Sequence, residues 1–483
     1  MAALHTGRDA SQEKPSPVSL DGSRDAALPQ SRQDLVDEHG AAHHPSPGGL
    51  IRVKSAGESG RRGFHPIQFF TIIWMSSSRV ARAVNILWPF VPAALAVYYT
   101  QTGPATLRFS LAYIAMVPCA NLIGFAGGEL ARKMPHMLGV LTETTIGSIV
   151  EIVLFLVLLL DTPSENKYYI IRAAILGSIL ATMLLCLGSC FFAAGVRRET
   201  ATFDSALSEV GTGLLLMAGL GLAIPTIFQH SILSDLARYG IDERQLDTKT
   251  TQISRVVAVL LLIAYIVFVW FQMRTHHGIY DAIFEHDERR DADGHKQKAK
   301  AKLTLTECIV SLIISVALVT LIALALVREI EPLVEESGIS DPFIGLILVP
   351  LVEKAAEHLT ALDEAWDNQI NFALSHCIGS TIQTAMLNAP LVVIVAWGRG
   401  LPLDLSFEIF EIAVLIIAII TVGNYLRDQK SDYLEGFLCI ITYVAIAVAA
   451  FYFPTPLEAH SNPAGGHGEG AESGGHAERS LFM

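Results

Sequence analysis

The chain has 483 residues, of which 51% are hydrophobic and 17% charged, with a mean hydropathy of +0.44. Such a composition excludes an ordinary soluble core, because the apolar residues fall in blocks of about 17 to 25, each long enough to cross ~30 Å of hydrocarbon at 1.5 Å per residue. The formal net charge of −13 is spread over tails and loops rather than gathered on a basic surface, which excludes a nucleic-acid partner.

Residues 1–63 are rich in Ser, Pro, Gly, His and charge and hold no apolar run of the signal-peptide kind, so they read as a disordered cytosolic leader. Residues 64–103 carry the first membrane helix, near Asn85–Gln101. A first set of five spans follows within 104–273, near Leu107–Leu130, Met137–Leu160, Ile170–Gly195, Ser208–Gln229 and Ile253–Met273. After a polar interval, a second set occupies 304–453, near Thr304–Arg328, Gly338–Leu362, Gln369–Trp397, Phe407–Tyr425 and Tyr433–Phe453. The expectation is an all-α polytopic membrane protein of about 11 transmembrane helices.

Positive charge collects at Arg79, Arg82, Arg132, Lys133, Arg197 and Arg198, on one side of that arrangement. The positive-inside rule therefore puts the N-terminus in the cytosol, and an odd number of spans puts the C-terminus opposite. Loops on the far side are poorer in positive charge, and Glu329, Glu331, Glu335 and Glu336 make one plainly acidic; the loop with Arg238, Arg244 and Lys249 goes against the rule. The interval 274–303 mixes Asp281, Glu285, Asp287 and Glu288 with four histidines and a basic second half. It reads either as a solvated linker between two bundles or as a regulatory cation-binding segment. The terminal stretch 454–483, with His460, His467 and His476, reads as a solvated tail, weak metal binding being the alternative. Cys119, Cys186, Cys190, Cys308, Cys377 and Cys439 all lie inside apolar blocks and read as small core residues.

Two spans break the apolar rule. A carboxylate at mid-membrane costs ~2.5–3.5 kcal/mol on insertion scales, so such groups face a protein interior or a watery path. In the third span Glu143, Gly147 and Glu151 fall within about 80° of one another on an ideal helix, with Thr144 and Ser148 at the edge. In the eighth, Glu353 and Glu357 stand one turn apart, with Thr360 on the same face and Lys354 within reach of both. Gly147, Ala355 and Ala356 leave room for another backbone.

Each acidic span is followed by a helix with Gly-Ser at its centre, Gly177-Ser178 in one and Gly379-Ser380 in the other. Because each set holds an odd number of spans, the second inserts upside down relative to the first. This is the inverted-repeat pattern of secondary transporters, with the site where the copies meet.

These residues resemble the cation/proton exchangers of the sodium/calcium exchanger superfamily, and the vacuolar calcium/proton exchangers in particular. Thr145, Gly147 and Glu151 match the first family signature, and Pro350, Ala355, Ala356, Glu357 and His358 the second. Gly379-Ser-Thr-Ile-Gln383, Pro390–Trp397 and Tyr433-Leu-Glu-Gly436 resemble the family's second half. The resemblance implies that Glu151 and Glu357 hold the cation or take up protons, with neutral oxygens from Ser178, Ser380 and Gln383 and a close backbone at Gly147 and Ser148. It also implies an antiporter rather than an enzyme, with no cofactor. Its substrates would be an inorganic cation, calcium first, and the proton, and its host the vacuolar membrane. A homo-oligomer is compatible with it.

The departures lie at Glu143 and Ser148, where the family has Asn, and at Glu353-Lys354, where it has Gly-Asn. Ala181-Thr182 replaces a Ser-Asn pair. With Glu143, Glu353 and Lys354 added, the formal charge of these groups is −3 where the family's pair gives −2. Lys354 either neutralises Glu353 as a structural ion pair or seats its ammonium in a cation position. His358 reads as an orienting donor rather than a metal ligand, His376 as a packed or hydrogen-bonded core residue, and Asn388 with Pro390 as a helix bend.

The chemistry stands without the name. A hard cation such as calcium takes six to eight oxygens at 2.3–2.6 Å. Burial favours the protonated carboxyl and a bound cation favours the ionised one, so one pair can hold protons or metal but not both. The expected function is calcium/proton antiport into an acidic organelle. A sodium, potassium or manganese exchanger of the same fold is the first alternative, and a non-transporting sensor or scaffold the second.

Overall fold

A chain in lipid has no water to satisfy its N–H and C=O groups, so its apolar blocks must close their hydrogen bonds within helices. The computed structural model describes residues 61, 63–75, 79–161, 163–291 and 301–454. Nearly all of the leader, the segment with His295, Lys296, Lys298 and Lys300, and the tail with His460, His467 and His476 lie outside the described residues.

In chain order the helices are α1 Pro66–Met75, α2 Ala81–Thr100, α3 Ala105–Ala131, α4 His136–Gly147, α5 Ile149–Leu160, α6 Glu165–Arg197, α7 Ser205–Leu233 and α8 Glu243–Thr275. Then come α9 His277–Arg290, α10 Leu305–Ser337, α11 over 341–353, α12 Ala355–Trp366, α13 Ile370–Gly398, α14 Ile409–Leu426 and α15 Tyr433–Phe451. Among the described residues, ten helical stretches are long and apolar enough to cross a membrane. The expected span Gly338–Leu362 is helical too, but built from α11 and α12 with Lys354 between them. α1 was not anticipated: its apolar run is too short for a span, and it buries Phe69 and Ile72 against Leu303 and Cys308 while leaving Ile67, Phe70 and Trp74 exposed.

The two halves correspond element by element. The acidic span of each is broken at one residue, Ser148 between α4 and α5 and Lys354 between α11 and α12. The Gly-Ser helices α6 and α13 are the most enclosed spans, and each widens into a π-helical turn just past its serine, at Ala181–Cys186 and Thr384–Asn388. The first helices of the two halves, α3 and α10, pack along one another. The start of α4 (Gly139, Glu143) and the end of α12 (Asp363, Asp367) line one cavity, so the two acidic spans run in opposite directions.

Close backbone packing decides where glycine is needed. A Cβ at Gly177 in α6 would lie 2.2 Å from the Leu346 carbonyl oxygen, so α6 and α11 meet there with no side chain between them.

The polar interval begins with an ordered helix, which corrects the reading of its first half as a solvated linker. α9 buries Tyr280, Ile283, Phe284 and Asp287. The Asp287 carboxylate accepts the backbone N–H groups of Asn371 and Phe372 at 2.7 and 3.4 Å, and the Asn371 side-chain amide at 3.0 Å. It thus caps the start of α13 from another helix. On the other face, Glu336 accepts the N–H groups of Ala105 and Thr106 at 3.1 and 3.2 Å and caps α3, and Arg108 binds Glu329 at 2.8 Å. The acidic end of α10, expected as a loop, is therefore helical and tied to the start of α3.

Candidate cation site

Each break starts a new half-helix, and in each the third residue is a glutamate: Glu151 in α5 and Glu357 in α12. The positive end of a helix dipole favours an anion there, and half-helix N-termini meeting at midplane are how transporters of this kind build a site. Counting back from these glutamates, Ser148 corresponds to Lys354 and Gly147 to Glu353. One half carries small neutral residues where the other carries a charge pair.

The two carboxylates converge on one nitrogen. Lys354 Nζ lies 2.7 Å from Glu151 Oε2 and 3.2 Å from Glu357 Oε2, and donates to Ser380 Oγ at 3.0 Å. Its three protons thus have three partners, as a buried ammonium requires. Glu151 Oε2 also accepts from Thr384 Oγ1 at 2.9 Å and Asn388 Nδ2 at 2.8 Å, while the Ser380 hydroxyl donates to Glu357 Oε2. Lys354 and Glu151 are each 1% exposed at the side chain, against 16% for Glu357. Glu357 is therefore the more accessible member of the pair.

A reserve of buried oxygens has no hydrogen-bond partner, namely Glu151 Oε1, Glu357 Oε1, Thr182 Oγ1 and Asn388 Oδ1, and the Ser178 hydroxyl stands beside the buried Glu353 carboxylate. Unsatisfied buried acceptors are expensive, and converging around paired carboxylates they form a donor set that suits a hard cation. Gly147 is built into this set, because a Cβ there would sit 2.5 Å from Glu357 Oε1.

A cavity of about 370 Å³ is lined by Glu129, Glu143, Glu288, Asp291, Asp363, Glu364 and Asp367 with Arg132 and Lys302. A narrower pocket shares Gly124, Glu143, Ala356 and Thr360 with it and continues to Glu353, Glu357, His358, His376 and Ser380. At the junction His376 Nδ1 lies 2.8 Å from Glu364 Oε2, and its Nε2 3.9 Å from Glu143 Oε2.

Several expected roles change. Lys354 does not pair with Glu353 but bridges Glu151 and Glu357. The break at Ser148 separates Glu143 from Glu151: the first lines the entrance and the second is sealed inside. Gln383 is engaged on both sides, since Oε1 accepts from Ser148 Oγ at 2.8 Å, which leaves one lone pair, and Nε2 donates to Thr145 and Tyr265 at 3.0 and 2.8 Å. It links the halves through Ser148 instead. His358 lines the pocket with Nε2 unpartnered, so it orients nothing through that atom. His376 is hydrogen-bonded as expected, and to a carboxylate.

Asp281, Glu285, Asp287 and Glu288 do not gather into one site. Asp281 faces His277 at 3.2 Å, Glu285 lies 3.8 Å from Arg289, Asp287 is buried under α13 and Glu288 lines the entrance. All six cysteines are buried and free, and Cys186, Cys190 and Cys377 bring their sulfurs within 4.8 Å of one another between the Gly-Ser helices. Thr384, Asn388 and Tyr265 went unassigned as site groups. The signal for the first two was there, since Thr384 sits one turn past Ser380 and Asn388 one further turn along the enclosed α13.

The sodium/calcium exchanger protein family matches residues 104–274 and 308–452. The vacuolar calcium ion transporter of Schizosaccharomyces pombe is 31% identical over 370 residues, covering 77% of this chain and 85% of its own length. The vacuolar cation/proton exchanger 2 of Oryza sativa subsp. japonica is 31% identical over 377 residues, covering 77% of this chain and 82% of its own. The solved structure of native YfkE shares the fold with a TM-score of 0.60 at 22% identity, over 76% of this chain and all of that one. A match over most of the chain, two halves included, places this integral membrane protein in the sodium/calcium exchanger family, among its cation/proton exchangers.

Proposed function

We propose that the protein is a secondary antiporter that moves calcium from the cytosol into an acidic vacuole in exchange for protons, exposing the Glu151/Glu357 site to each side in turn. The observation that carries this reading is the convergence of the two half-helix carboxylates on a single buried cation position, with unpartnered oxygens around it. Names of relatives, a vacuolar calcium ion transporter and vacuolar cation/proton exchangers, support the ion and the membrane.

The mechanism follows from exclusive occupancy. A cation entering past Glu143 and Glu364 meets Glu357, binds between it and Glu151, and leaves no charge for protons to neutralise. Protons entering from the acidic side protonate the same carboxylates and release the ion. The side chains that line the entrance come from helix ends and an interval rich in Lys and Arg, which supports a cytosolic N-terminus and a site open to the cytosol in this conformation. The C-terminus would then face the lumen.

Reconstitution tests this. In sealed proteoliposomes with an acidic interior, calcium added outside is taken up and collapses the pH gradient. Glu151→Gln and Glu357→Gln lower that flux by about a hundredfold or more, since each removes a charged ligand that no neighbour replaces. Sodium or manganese collapsing the gradient where calcium does not would change the ion. Lys354 beside the pair favours this second reading, as it offsets one negative charge. A cellular role that survives Glu357→Gln would instead point to a sensor or scaffold.

A further inference from the structure

We propose that Lys354 and Glu353 form an internal cation and its second seat. The ammonium competes with the transported ion for Glu151 and Glu357 and moves to Glu353 when that ion binds. This rests on the exchanger reading and adds to it how the site stands when no ion is bound.

The ammonium holds the central position, 2.7 and 3.2 Å from the paired carboxylates, and it is buried. An ion bound by both oxygens of each carboxylate takes the two Oε2 atoms that the ammonium holds, and so displaces it. Displacement needs a buried acceptor within reach, because a lone ammonium in the interior is costly. Glu353 is that acceptor. It precedes Lys354 in the chain, is 2% exposed, and its carboxylate is not held by the Lys354 ammonium, which lies on Glu151 and Glu357. The Ser178 hydroxyl is its hydrogen-bonding neighbour, Glu151 and Glu357 stand near it, and Lys354 is the positive group beside it. The four-carbon stem of lysine turns about rotatable bonds without moving the backbone. In the other half the corresponding residues are Gly147 and Ser148, so the charge pair is an addition to one repeat and not a requirement of the fold.

The consequence is a tethered competitor. While the ammonium occupies the pair nine-tenths of the time, apparent affinity for the ion is reduced about tenfold, and its return helps expel the ion. The test measures equilibrium calcium binding to purified full-length protein and, separately, uptake into proteoliposomes. K354M is expected to bind calcium about tenfold more tightly and to turn over more slowly. E353Q is expected to bind about tenfold more weakly, since the displaced ammonium has lost its seat. E353Q/K354M should bind like K354M, because Glu353 acts only through Lys354.

Additive effects of the two substitutions overturn the proposal. So does K354M binding calcium no more tightly than the parent, with K354Q giving the same result where K354M does not elute as a single folded species. If the affinities shift as stated while no proton gradient is collapsed, the exchanger reading fails and the competition stands.

Discussion

Gly147 shows how a single side chain decides the site. Its α-carbon lies against the Glu357 carboxylate, and a methyl group there would overlap Oε1 at 2.5 Å. Alanine is the better helix former by about 1 kcal/mol, so Gly147→Ala leaves the span helical while pushing Glu357 aside. Calcium uptake by that variant is expected to fall about 10- to 100-fold, the cost of moving one ligand by an ångström or so, with an unchanged elution profile in detergent. Uptake equal to the parent would show that Glu357 is not fixed by this contact. The same scale explains why Lys354 was open to two readings in the sequence. Lys354 lies one helical turn from Glu357 and adjoins Glu353 in the chain, and only the arrival of Glu151 from the other half settles its partners.

The elements that matter are interrupted ones. Half-helices α5 and α12 each present a glutamate in their first turn, and the π-helical turns of α6 and α13 carry Thr182 and Thr384 beside the site. Neither break is marked by proline at the broken residue, so hydropathy read each span as continuous and placed Glu143 on the face of Glu151. α9 is the second lesson at this scale. Asp287 caps α13 from outside, and Asp287→Ala should lower stability by about 1–2 kcal/mol, seen as a lower melting temperature in detergent. Burial holds the Asp287 carboxyl above the usual carboxylate range, the hydrogen bonds from Asn371 and Phe372 offsetting only part of that rise. A raised value means the folded state binds the proton more readily than the unfolded one. The contribution of this group is then fully present below about pH 4 and is lost as pH rises through the raised value. Asp287→Asn should remove that component from the pH dependence of the melting temperature, and an unaltered profile would assign the dependence to other groups.

At the scale of the molecule, two five-span halves in opposite orientation bring their acidic spans together, and the entrance opens toward α9. The orientation is checked in intact vacuoles with a membrane-impermeant thiol reagent. Glu285→Cys in α9 should be labelled from the cytosol and Glu335→Cys only after permeabilisation, with little background from the buried native cysteines. The reverse pattern would invert the topology. The spans, the repeat and the four buried glutamates were legible in the sequence, because each is a matter of local apolar length or of a polar residue where lipid demands none, while the choice of Glu151 and Glu357 among the four came from the family resemblance. The mate of Lys354, the hydrogen bonds of Gln383 to Ser148, Thr145 and Tyr265, and the capping of α13 by Asp287 were not. Each joins residues more than 80 positions apart, apart from the short step within Lys354–Glu357. Sequence alone determined which charges the membrane would have to bury, since insertion cost depends on the residue and its depth. Tertiary structure decided which of them share a partner, since that depends on how two inverted halves bring distant helices into contact.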